Sequence, residues 1–146
     1  MNGFLKLIYK IKDEIIYEEC QNLVVNQAGI ITSNWLSANG NSSALSQIVI
    51  GDDPVNTTDK TTTSLGGYSF PKNIDSISAT GNVVTINFSI ATTEFNGYDI
   101  WQFGLMTDEN QLFSIMSRKK IVIPPPTISK TSDIDIVGIW TITVEV

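Results

Sequence analysis

The stretch Tyr98–Arg118, YDIWQFGLMTDENQLFSIMSR, decides the fold class. Trp101, Phe103 and Leu105 alternate with Gln102 and Gly104. A strand sends successive side chains to opposite faces, so these three large apolar groups share one face. Asp108, Glu109 and Asn110 then interrupt the apolar pattern. Asn tolerates the left-handed backbone region, which suits Asn110 to the closing position of a three-residue turn. The return strand offers Phe113 and Ile115 on one face, with Leu112, Ser114 and Met116 on the other. Pairing Trp101, Phe103 and Leu105 with Phe113 and Ile115 builds an apolar surface too large to leave in water. A second layer of strands is expected to cover it.

Outward from this hairpin the chain continues to read as short strands. Toward the C-terminus, residues 121–127 (IVIPPPT) are extended, and three consecutive prolines forbid an inner strand. Asp133 to Val146 reads as a long strand that changes face near Gly138, an expected bulge, after which Trp140, Ile142, Val144 and Val146 share one face. Toward the N-terminus, Ser76–Ala79 and Val83–Ile90 flank the turn signal Thr80-Gly81-Asn82. Gln47–Gly51 (QIVIG) reads as a short buried strand, and 52–67 as a long Thr- and Asp-rich loop. Leu23, Asn26, Gln27, Ile30, Ile31, Asn34 and Trp35 recur at helical spacing, so a helix is expected from Asn22, its cap, to Ser37. Leu5, Leu7, Tyr9 and Ile11 alternate with Lys6, Ile8, Lys10 and Lys12. This is a strand, followed by a turn at Asp13-Glu14 and a second strand to Cys20. Residues 1–21 thus form a hairpin, or an arm that pairs with a neighbouring subunit, ahead of a domain over 22–146. The expected fold is mainly β: an antiparallel β-sandwich, jelly-roll-like, with one short α-helix.

Composition removes several function classes. The chain of 146 residues carries a formal net charge of −6, which argues against binding a nucleic-acid backbone, where counterion release needs clustered Lys and Arg. Arg118-Lys119-Lys120 is the one basic cluster, expected to be a solvated strand end. The absence of histidine removes the usual general base and the commonest zinc ligand. Cys20 is the only cysteine, so no internal disulfide forms. No window approaches the roughly 20 apolar residues of a membrane helix, and the N-terminus, broken by Lys6, Lys10 and Lys12, does not read as a signal peptide. Gly66-Gly67 lacks the lysine and spacing of a phosphate loop. No catalytic residue and no cofactor is expected.

Two binding possibilities stay open. Asp52, Asp53, Asn56 and Asp59 supply oxygen ligands for a hard cation, or else bond their own backbone in a turn. Tyr68, Phe70, Phe95 and Tyr98 lie in or near loops, either as sugar-stacking platforms or as anchors packing inward.

The order of features carries a further signal. LVVNQAG leads to a helix ending at NWL, then SQIVIGDD, a Thr-rich run ending in SLGG, GNVVTINFS, TEFNGYDIWQFGLM with its QLFSIMSRK return, and VGIWTITVEV. From Leu23 to Val146 this series resembles a widespread group of small bacteriophage tail proteins found near tail fibres and baseplates. The matching residues are Asn26, Gly29, Ile50-Gly51, Gly81-Asn82, Phe103-Gly104-Leu105, Leu112-Phe113, Arg118 and Trp140 to Thr143. Asp53 replaces the second glycine of the group's strand motif, and Gln102 its glutamate. The resemblance implies a virion structural protein, assembled in the host cytoplasm, that acts through homo-oligomerisation and contacts with other tail proteins. A receptor- or carbohydrate-binding fibre module and a neck or head-decorating protein are the alternatives. Folding is expected to rest on Trp101, Phe103, Leu105, Phe113, Ile115, Trp140 and Ile142, and contacts on residues 4–20, 52–67 and 121–130.

Overall fold

A computed structural model describes residues 1–37, 44–54, 59–65, 69–118 and 127–145. Its elements are β1 (Asn2–Ile11), β2 (Glu14–Val24), α1 (Asn26–Ser37), β3 (Leu45–Gly51), β4 (Ser69–Asn73), β5 (Ser76–Thr80), β6 (Val83–Ile90), β7 (Gln102–Thr107), β8 (Leu112–Ser117) and β9 (Ile134–Thr143). The strands form one 9-stranded sheet in the order β4-β3-β7-β8-β2-β1-β9-β6-β5, with every pairing antiparallel. A mainly β, antiparallel fold with one short helix among the described residues is what the apolar patterns implied.

Two corner-turning segments curl this sheet. β2 pairs with β1 as far as Asn22, opposite Gly3, and then its last residues Leu23 and Val24 pair with Ile115 and Ser114 of β8. The outermost strands β4 and β5 are consecutive in the chain, separated only by Ile74 and Asp75. Ile74 N–H donates to Ser46 O at 3.0 Å on the β3 side, and Asp75 N–H to Asn87 O at 2.8 Å on the β6 side. One run of chain therefore serves both ends of the sheet and draws them together. Inside the curl, Leu5, Leu7 and Tyr9 of β1, Ile86 and Phe88 of β6 and Trp140 of β9 meet Ile48 and Ile50 of β3 and Phe103 and Leu105 of β7 in one core. The Phe88 and Phe103 rings join the two halves, with centroids 5.9 Å apart. Residues 2–24 are thus a hairpin at the middle of the sheet.

The structure departs from the expected pattern at particular residues. The β7–β8 register shifts between Leu105 and Met106, which pair with Ser114 and Leu112. Phe113 is the extra residue, and one inserted residue reverses the facing of what precedes it. Phe113 and Met116 therefore join the central core, whereas Ile115 and Leu112 pack with Val25 in a second cluster on the outer face. Phe113 also stacks on Trp35 of α1, at 5.9 Å and 16°, which seats the helix. Trp101 stays half-buried just ahead of β7; its N–H donates to Gly51 O at 3.0 Å, and its carbonyl accepts from Arg118 N–H at 2.8 Å.

Gly138 is not a bulge. It pairs in unbroken register with Leu7 on one side and Phe88 on the other, so Ile134, Ile136, Trp140 and Ile142 all lie buried on one face of β9. The helix starts at Asn26 rather than Asn22, because the ladder to β8 claims Leu23 and Val24 for β2. Strand β4 arises within SFPKN, where Pro71 hides the strand pattern. Arg118 is buried, 2% exposed, and not a solvated strand end. Lys119, Lys120 and the proline run lie outside the described residues.

Candidate functional site

The acidic residues singled out in the long loop do not converge. Asp59 is exposed, and its Oδ1 accepts from Thr61 N–H at 2.8 Å and the Thr61 hydroxyl at 2.5 Å. Its own N–H donates to Thr62 Oγ1 at 2.9 Å. The hydrogen bonds from the Thr61 side chain and backbone hold the Asp59 carboxyl below the usual carboxylate range. This is an Asx-type turn closed on itself. Asp52 and Asp53 are half-buried directly after β3, and Asn56 lies outside the described residues. Among the described residues, no three His, Cys, Asp or Glu side chains gather as a metal set.

That loop instead fastens to the fold. Lys60 O accepts from Asn26 N–H at 2.7 Å, which ties the loop to the start of α1. Leu65 packs on the outer cluster of Val25, Leu112 and Ile115. Gly104 leaves room for it: a Cβ there would lie 2.6 Å from Leu65 Cδ1.

The loop aromatics pack on one another. Phe70 meets Phe95 at 5.9 Å and Tyr98 at 4.4 Å between ring centroids. Phe95 is packed against the core, whereas Tyr98 keeps 41% of its surface exposed. Tyr68 lies outside the described residues. The turn that carries Phe95 is clamped from beneath by Lys130, only 1% exposed. Its ammonium donates to Asn96 Oδ1 and Thr131 O, both at 2.9 Å. Burial pushes the Lys130 amine down from its ordinary value, against the charges of Asp135 and Glu94. Glu94 pairs with Lys72 and accepts from Ala91 N–H at 2.9 Å. Burial raises the Glu94 carboxyl, but the Lys72 and Ala91 hydrogen bonds and the charges of Lys72 and Lys130 outweigh it, for a net lowering.

A second polar cluster sits under β2. Arg118 Nε lies 3.1 Å from Glu18 Oε2, and its Nη1 donates to Ile100 O at 2.7 Å. The Tyr9 hydroxyl donates to the same Glu18 oxygen at 2.6 Å, and the guanidinium lies 5.2 Å from the Tyr9 ring centroid. Sequence reading missed Glu18, Tyr9 and Lys130 as polar anchors. The signal was thin: a tyrosine on the apolar face of β1, and charges beside turn residues. These groups bond to one another and to backbone carbonyls, an arrangement that fixes loops and strand ends in place.

Concave surface is found at two places among the described residues. A cleft of about 380 Å³ lies where β1, β2 and α1 meet, lined in part by Gly3, Asn22, Asn26, Gly29 and Lys60. Asn22 covers Gly3 so closely that a Cβ there would stand 1.7 Å from its Oδ1. The other is an apolar groove of about 570 Å³ between α1 and the β5–β6 hairpin, lined by Trp35, Ala44, Leu45, Ile77, Ser78, Ala79 and Val84. Every residue of β5 is exposed, and Ile77 keeps 47% of its surface in solvent.

The groove and the β5 edge combine unpaired strand backbone with uncovered apolar surface. The stretch Glu14–Asn22 of β2 also pairs on one side only and exposes Ile15 and Tyr17, but it carries Glu14, Glu18 and Glu19. An edge such as that of β5 recognises another extended chain: main-chain hydrogen bonds give affinity and alternate side chains give fit. No protein-family model, no curated protein and no solved structure matches the chain.

Proposed function

We propose that the chain is a bacteriophage virion structural protein, associated with the tail, baseplate or fibres, that acts by oligomerising and contacting other virion proteins. The ordered resemblance from Leu23 to Val146 supports the class. The observation that carries the mode of action is the β5 edge, five residues all exposed beside an apolar groove. A protein that acts through contact surfaces needs such an edge, and polar anchors such as Arg118 and Lys130 serve to hold its loops in shape. The test is co-purification: the chain should be found by mass spectrometry in purified tails at stoichiometric amounts. Its absence from particles of a phage that encodes it would refute this reading.

A fibre-tip module that binds a host glycan is the second reading, favoured by the exposed Tyr98 ring held against Phe70. A glycan array with the isolated protein decides for it if binding is lost in Tyr98→Ala. A neck or head-decorating protein would instead co-purify with tail-less capsids.

A further inference from the structure

We infer that β5 is a self-pairing edge, and that two copies of the chain join by antiparallel β5–β5 pairing across a two-fold axis centred on Ser78. The inference deepens the oligomerisation reading and rests on it.

The two ends of the sheet are not alike. β4 carries Pro71, which has no N–H to offer a new neighbour, and Lys72, engaged with Glu94. Proline and lysine are the usual devices that keep a sheet edge from pairing. β5, Ser76-Ile77-Ser78-Ala79-Thr80, has neither, and no charge at all. The groove beside it is also lined by uncharged residues only. For a chain of net charge −6, an uncharged edge and groove let a like-charged copy approach with less repulsion than the one-sided stretch of β2, which carries Glu14, Glu18 and Glu19.

The register follows from symmetry. A two-fold perpendicular to the sheet keeps each side chain on its own face, so the axis passes through a residue position. Centring on Ser78 pairs all five residues: Ser78 with its own copy, Ile77 with the copy's Ala79, and Ser76 with the copy's Thr80. Ile77 and Ala79 pair with Ile86 and Val84 of β6 and line the groove, so a large and a small apolar side chain meet on the face that needs covering. Strand alternation puts the side chains of Ser76, Ser78 and Thr80 on the other face, where hydroxyl pairs are compatible. Such a contact is isologous: it uses the same β5 edge of both copies and so closes at two.

The test uses the full chain. In a Cys20→Ser background, Ser78→Cys should form an intermolecular disulfide under mild oxidation, since directly opposed strand residues lie about 4.5–5.5 Å apart at Cα. Thr80→Cys is the control. Its two copies would stand roughly 14 Å apart in this register, at about 3.4 Å per residue, and should stay reduced. Light scattering should give twice the chain mass for wild type and the single-chain mass for Ile77→Lys, with unchanged circular dichroism. Equal cross-linking at both positions, or a wild-type mass other than two copies, overturns the inference. If cross-linking fails while the chain still co-purifies with tails, the self-pairing edge falls and the virion reading stands. If the disulfide forms but the chain is absent from particles, the reverse holds.

Discussion

The Phe88 ring occupies the space where a side chain at residue 138 would stand. A Cβ on Gly138 would lie 2.0 Å from Phe88 Cζ and 2.3 Å from Cε1. The two residues are direct cross-strand partners on β6 and β9, and Phe88 has no exposed surface. A buried ring cannot swing away, so Gly138→Ala should force backbone to move. Overpacking of this kind costs about 1–3 kcal/mol. Urea unfolding should show that loss in wild type and a smaller one in a Phe88→Leu background. Additive losses in the double variant would sink this account.

Gly104 presents the opposite case. Its added Cβ would meet Leu65 Cδ1 at 2.6 Å and Leu112 Cδ1 at 3.1 Å, and Leu65 is the far end of a flexible side chain on a loop. Gly104→Ala should therefore displace Leu65 and free residues 59–65 while leaving the sheet intact. Trypsin cleavage after Lys60 should accelerate, and the fall in Tm should be smaller than for Gly138→Ala. A larger fall than at Gly138 would show that the outer cluster, not the loop, yields.

Arg118 links β8 to the inner hairpin. Its side chain has no exposure, and that of Glu18 only 16%. Removing one partner of a buried pair leaves the other uncompensated, which destabilises by about 3–5 kcal/mol. Arg118→Met keeps the volume and loses the charge, so it should reach that range in denaturant unfolding. Glu18→Gln keeps an acceptor for Tyr9 but leaves the fully buried guanidinium without its counter-charge, so it should fall in the same range. Equal stability for Arg118→Met and wild type would mean that the cluster is not structural.

The alternation that reveals β1, β6 and the β7–β8 hairpin was legible because one face of each strand is buried and the period is two. What was not legible came from partners distant in the chain. Nothing in LFSIMS marks Phe113 as the extra residue; the register with β7 makes it so. Gly138 reads as a break until Phe88 is seen against it. Leu23 and Val24 suit the helical spacing as well as a strand, and only the β8 ladder decides. Arg118 sits in a basic run and reads as solvated, yet Glu18, 100 residues earlier, draws it inward. The free side of β5 was legible only as a loop-flanked strand, because an edge is defined by which neighbour is missing.

The turn over residues 91–98 supplies a pH dependence. The Glu94 carboxyl is lowered from 4.5, so the folded state holds its proton less firmly than the unfolded chain. A lowered carboxylate stabilises the fold above the unfolded value, and that contribution is lost as pH falls through the folded value. Glu94→Gln removes the charge while keeping an acceptor for Ala91 N–H. At neutral pH the variant should have a lower Tm than wild type, and the gap should close as the pH is taken down through and below 4.5. Lys130 behaves differently, because burial lowers its amine from 10.5. Its folded form releases the proton first, so stability at this site should rise with pH between the lowered value and 10.5. Lys130→Met should abolish that alkaline rise and leave the acid limb in place. A Tm gap between Glu94→Gln and wild type that stays constant from neutral to strongly acid pH would contradict the role given to the Glu94 charge.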